Sequence, residues 1–91
     1  MKSKSEFDME LFLTPVLHGA CATRQRHIRQ AVTMQSAICE RWGCATPWGW
    51  KQKHVRWFFD LPLSQSAAPT RYYYKLTAAL IYQRLNAARL R

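Results

Sequence analysis

The chain has 91 residues, 48% of them hydrophobic, with four Trp, four Tyr and four Phe, enough for one small domain with a packed core. This composition excludes a disordered tail, and no apolar run approaches the ~18–20 residues of a membrane span. Fourteen Lys and Arg face five Asp and Glu, a net charge of +9, and a domain so charged repels itself unless a polyanion is its partner.

The imbalance is uneven along the chain. Glu6, Asp8 and Glu10 fall within the first ten residues, so residues 11–91 hold twelve basic residues against only Glu40 and Asp60. Nucleic acid is the expected partner, and net charge does not separate DNA from RNA. Behind Met1-Lys2-Ser3-Lys4 there is no apolar stretch with a small-residue cleavage site, so no signal peptide is read and a cytoplasmic location is expected.

Residues 1–22 read as an N-terminal segment and connector. Phe7, Met9, Leu11 and Leu13 alternate with polar positions like a strand, but Phe12 breaks the alternation. A short helix capped by Ser5, with Glu6 and Asp8 in its first turn, fits equally well, and Pro15 ends either version. A connector containing Gly19 follows.

Residues 23–91 read as a helical domain. Its first helix spans Thr23 to Trp42, with Thr23 as N-cap and Gly43 just past the end. At 100° per residue, Ile28, Ala31, Val32, Gln35, Ile38, Cys39 and Trp42 share one face, with Arg26, Arg29, Thr33 and Glu40 opposite. A loop of Pro, Gly and Trp at 44–50 leads to a second helix, Lys51 to Leu61, stopped by Pro62. Val55, Phe58 and Phe59 form its core stripe, and Lys53, Arg56, Trp57 and Asp60 lie on the other side. After a small-residue loop at 62–69, the last helix starts at Pro69-Thr70 and runs to the late eighties. It is apolar on two sides: Tyr72, Leu76, Ala79, Leu80 and Ala87 on one, Tyr74, Ala78, Ile81 and Leu85 on the other. The expected fold is all-α, a small bundle of three main helices plus an N-terminal segment.

Little in the chain points to chemistry. Cys21, Cys39 and Cys44 have no CxxC pairing, and Cys39 falls on the apolar face, so buried free thiols are expected rather than a disulfide framework or zinc site. His18, His27 and His54 are scattered, acids are sparse, and three glycines make no phosphate loop. A non-catalytic protein without cofactor is expected, with His54 structural.

Basic residues interleaved with aromatics carry more information: Trp48, Trp50, Lys51, Lys53, Arg56 and Trp57 lie within ten positions. Cations there neutralise phosphates, and exposed rings stack on bases. Trp48 and Trp50 are expected to cover the end of the core, and Trp57 to serve at a surface or interface. In the run from Arg71 to Lys75, the tyrosines are expected mainly in the core and the two cations outside.

The order of elements from Thr23 to Asn86 resembles the N-terminal core-binding domain of tyrosine recombinases, the phage and integron integrases. The features are a basic helix start (Thr23-Arg24-Gln25-Arg26-His27-Ile28), a short helix at Lys53–Phe59, and a Ser-rich break leading into the aromatic, leucine-rich helix from Thr70. The resemblance spans about two-thirds of the chain. It implies a setting in a mobile element, with mainly backbone contacts to duplex DNA near helix starts, at positions matching Arg24, Arg26, Lys51, Lys53, Thr70 and Arg71. The Pro47-Trp48-Gly49-Trp50 loop is heavier in aromatics than the family's polar lead-in. The family's catalytic domain has no counterpart, so Tyr72, Tyr73, Tyr74 and Tyr82 are not nucleophile candidates.

With the other outward cations, the DNA-binding set is Arg24, Arg26, Arg29, Lys51, Lys53, Arg56, Thr70, Arg71 and Lys75, expected on one continuous positive face. Trp57, Tyr74, Ile81 and Leu85 form a candidate partner interface. Two alternatives stand beside DNA binding. One is a small interaction or inhibitor module that docks on a nucleic-acid-binding complex. The other is a ribbon-helix-helix-like dimeric repressor, with Phe7–Leu13 as its shared strand.

Overall fold

The computed structural model describes residues 7–89, and among these all regular structure is helical. Asp8 sets the first boundary: its Oδ1 accepts the Leu11 N–H at 3.1 Å and starts α1, Met9–Leu13. The cap is therefore Asp8; Ser5 lies outside the described residues. Met9, Phe12, Leu13 and Val16 are buried at helical spacing, and Leu11 is left exposed. Phe12, which breaks the strand alternation, is thus accommodated by a helix. The strand required by the ribbon-helix-helix alternative is not formed over residues 9–13. Pro15 sits inside a 3-10 turn, Thr14–Val16, that continues α1.

Helix α2, Cys21–Trp42, begins two residues before Thr23, and its N-cap Ala20 offers no side-chain acceptor. Gly43 ends it as expected, in the left-handed conformation at φ 74°, with its N–H on the Cys39 carbonyl at 2.8 Å. The buried stripe is His27, Ala31, Met34 and Ile38. It is rotated from the expected face, so that Val32 and Cys39 are exposed and border an open groove with Phe7 and Met9. The rotation occurs because α1, α3 and α4 all pack on α2, and one of them supplies a polar partner for His27.

The loop after α2 closes through Gln35, which accepts the Trp50 indole N–H and donates to the Cys44 carbonyl, each at 2.9 Å. Trp50 is buried over the core as expected. Trp48, in the 3-10 turn Pro47–Gly49, is half exposed and edge-on to Phe12. Helix α3, Gln52–Asp60, buries Val55 and Phe58 with Phe59 partly covered, close to expectation. Beyond Pro62 the chain folds back, and Leu63 is buried with its N–H on the Phe58 carbonyl at 3.0 Å.

Helix α4, Ala68–Arg89, resolves its two-faced pattern. Thr77, Ala78, Ile81 and Leu85 are buried, and the Tyr74 ring packs 5.5 Å from Phe58. The proposed partner interface is thereby corrected: Ile81 and Leu85 belong to the core, and Tyr74 and Trp57 are half-buried against it. The opposite stripe of α4 is the one left to solvent, with Tyr72 56% and Leu76 38% exposed.

Candidate nucleic-acid interface

Helices α2 and α4 pack against each other. A buried polar relay joins them: His27 Nδ1 lies 2.7 Å from Thr77 Oγ1, whose hydroxyl donates to Gln30 Oε1 at 2.8 Å. The Tyr73 carbonyl is a second acceptor for that hydroxyl at 3.2 Å, and with the Thr77 proton on either acceptor His27 donates from Nδ1. Above the relay, the Arg26 guanidinium lies 4.3 Å from the centroid of the Tyr73 ring, and its Nε is buried without a partner. Tyr72 packs edge-on to Tyr73, and both rings are exposed, contrary to the core position expected of them. Arg71 donates to the Ser66 carbonyl at 2.8 Å and is half-buried, while Arg24, Arg29 and Thr70 are exposed.

A second basic cluster forms where α2 ends and α3 begins. Arg41 and Lys53 stand over the Trp42 ring, 4.3 and 5.1 Å from its centroid. Trp57 meets Trp42 edge-on, and the His54 ring lies 4.9 Å from it, tilted. Lys51 is the N-cap of α3. Its N–H donates to His54 Nδ1, and the His54 N–H donates back to the Lys51 carbonyl, both at 2.9 Å. His54 is structural, as expected.

Arg56 and Lys75 line a groove between α3 and α4 that also includes Asp60, and Arg56 follows Lys53 by about one turn of α3. Arg24 and the Trp42 cluster lie 18 residues apart on one helix, about 27 Å at ~1.5 Å per residue. Two cations were missed. Arg41 was hidden because a residue beside the last apolar position reads as ordinary helix surface. Arg84 reaches back across the sequence to donate to the Phe12 carbonyl at 2.8 Å, over the rings of Phe12 and Trp48.

The thiols are not buried as a group: Cys21 and Cys39 are exposed, and Cys44 is intermediate. Among the described residues, no three His, Cys, Asp or Glu side chains are grouped to hold a metal ion. Among the same residues, no helix is long and apolar enough to cross a membrane.

Burial holds both core histidines below the ordinary imidazole value of 6.5, helped by Arg26 at His27 and by Lys53 and Lys51 at His54. Protonation of His54 would also turn its Nδ1 from acceptor to donor against the Lys51 N–H. Just below pH 6.5 the unfolded chain binds more protons than the folded one. Stability should therefore be full above pH 6.5 and fall as pH drops toward the depressed folded values. Each histidine can contribute a slope of up to about 1.4 kcal/mol per pH unit. Thermal melts between pH 8 and 5 should show the decline, and His54→Gln should flatten it. A melting temperature independent of pH across that window would contradict the neutral assignment.

No protein-family model, no curated protein and no solved structure matches this chain.

Proposed function

We propose that this chain is a non-catalytic DNA-binding domain that holds duplex DNA mainly through its phosphates. One observation carries the reading: α2, α3 and α4 all begin without an acid in the first turn, and each has basic residues there or just beyond. Arg24 follows the start of α2, Lys51 and Lys53 flank that of α3, and Arg71 that of α4. A cation at a helix N-terminus opposes the macrodipole, at about 0.3–1 kcal/mol each. Arg71 is held by the Ser66 carbonyl, but folding alone does not favour the cations at the starts of α2 and α3, whereas a bound phosphate relieves them. Ala20 leaves the first amides of α2 without a side-chain acceptor, which suits them to an anion.

The choice of duplex DNA, and of a mobile element as its setting, rests on the resemblance to recombinase core-binding domains. Two basic ends about 27 Å apart suit backbone contacts on separate stretches of a duplex. Such contacts position a protein without specifying a sequence.

Titrating a fluorescent duplex, its single strand and the matching RNA at several salt concentrations tests the proposal. For the parent, log affinity for duplex should fall linearly with log salt, by about 0.9 for each phosphate neutralised. The pairs Arg24→Ala/Arg29→Ala and Lys51→Ala/Lys53→Ala should each weaken binding to all duplexes alike and flatten that slope. If both double variants bind like the parent at every salt concentration, the helix starts do not contact phosphate. A parent that prefers RNA or single strands would shift the partner.

A further inference from the structure

The groove between α3 and α4 is chemically unlike the two basic ends. Val55, Phe59, Ala78 and Ala79 give it apolar walls, with Tyr82 at one side, in an open volume of about 480 Å³. Arg56 on α3 and Lys75 on α4 stand on its two walls, and Asp60 is its only acid among the described residues. Burial raises the Tyr82 hydroxyl above its ordinary range, so this tyrosine meets a ligand neutral.

We infer that this groove docks an amphipathic helix of a partner protein, one whose apolar stripe is flanked by acidic residues. Shape is the first reason. The two alanines lower the α4 wall, and the α3 wall runs the length of that helix from Gln52 to Asp60. From Gln52 to Asp60 this is about 12 Å, or roughly two helical turns, which suits a helix laid in a groove better than a compact ligand. Charge is the second reason. Cations from both walls flank the apolar surface, so carboxylates beside an apolar stripe meet Arg56 and Lys75.

Other occupants fit less well. A phosphate backbone would lie against Val55 and Phe59, where its lost hydration is not replaced. A second copy of the chain would bring another net charge of +9 to the same place. The inference does not depend on DNA binding, since the groove lining includes neither Arg24 nor Lys53 and its apolar walls do not need a phosphate.

The test uses the full chain and three synthetic helical peptides. One carries a Leu stripe flanked by Glu, the second has Lys in place of Glu, and the third keeps Glu but has Ser in place of Leu. The Glu/Leu peptide should bind roughly tenfold more tightly than either control, and amide shifts should cluster at residues 52–60 and 75–82. Arg56→Glu/Lys75→Glu changes an exposed and outward-facing pair, so circular dichroism should remain helical while the preference moves to the Lys peptide. Equal binding of the Glu and Lys peptides, no binding of either, or shifts elsewhere would overturn the inference. So would sedimentation showing dimers that dissociate on Ala79→Arg, which would assign the groove to a second copy. A duplex that shifts the same groove amides would also overturn it.

Discussion

Ile81→Ala should destabilise the bundle by about 2–5 kcal/mol, the range for truncating a buried aliphatic side chain. Ile81 is fully buried on the core face of α4, together with Ala78 and Leu85. Its removal loses transfer free energy and leaves a cavity that close-packed neighbours fill only in part. A domain of this size has about 5–14 kcal/mol of stability in total, so the variant should show a much lower urea midpoint. Leu76→Ala is the matched control: similar in size and on the same helix, but facing solvent, it should cost well under half as much. The comparison separates a core from a docking face. Were Ile81 an anchor for a partner, its truncation would spare folding and weaken only binding. An Ile81→Ala midpoint within error of the parent would mean that α4 buries its other side.

Thr77→Val should cost about 1–3 kcal/mol although it preserves shape, because it leaves buried polar groups without partners. The Thr77 hydroxyl lies between His27 and Gln30 and is wholly inaccessible to solvent. Valine offers neither donor nor acceptor, so His27 Nδ1 loses its partner in a site closed to water. Thr77→Ser restores the hydroxyl and should recover most of the loss, less the contribution of one buried methyl. The relay also joins α2 to α4 next to the pair of Arg26 and Tyr73. Thr77→Val should therefore weaken duplex binding as well, even at temperatures where the variant remains folded. If Val and Ser variants melt together with the parent, the relay adds nothing to stability.

Much of this architecture was legible in local sequence. Gly43 ends α2 because only a residue without Cβ enters the left-handed region easily. Pro62 stops α3 by its missing N–H, and the 3.6-residue period placed Val55, Phe58 and the two apolar faces of α4. Tertiary structure decided what such signals leave open. Phe7 to Leu13 carries both a two-residue and a helical pattern, and packing of Met9, Phe12 and Leu13 into the core selected the helix. The α2 stripe turned toward His27 because Thr77, 50 residues away in sequence, supplies a hydrogen-bond partner that makes a buried histidine tolerable. Of the two apolar faces of α4, Ile81 and Leu85 went inside and Leu76 outside, according to where α1, α2 and the Trp48 turn lie. The neighbours of the basic residues were set in the same way. Sequence records that Arg24 and Arg56 point away from their own helix's core, but only helix packing set Arg56 across a groove from Lys75 on α4. Periodicity follows from the covalent geometry of one segment, whereas burial and charge placement depend on which segments face one another.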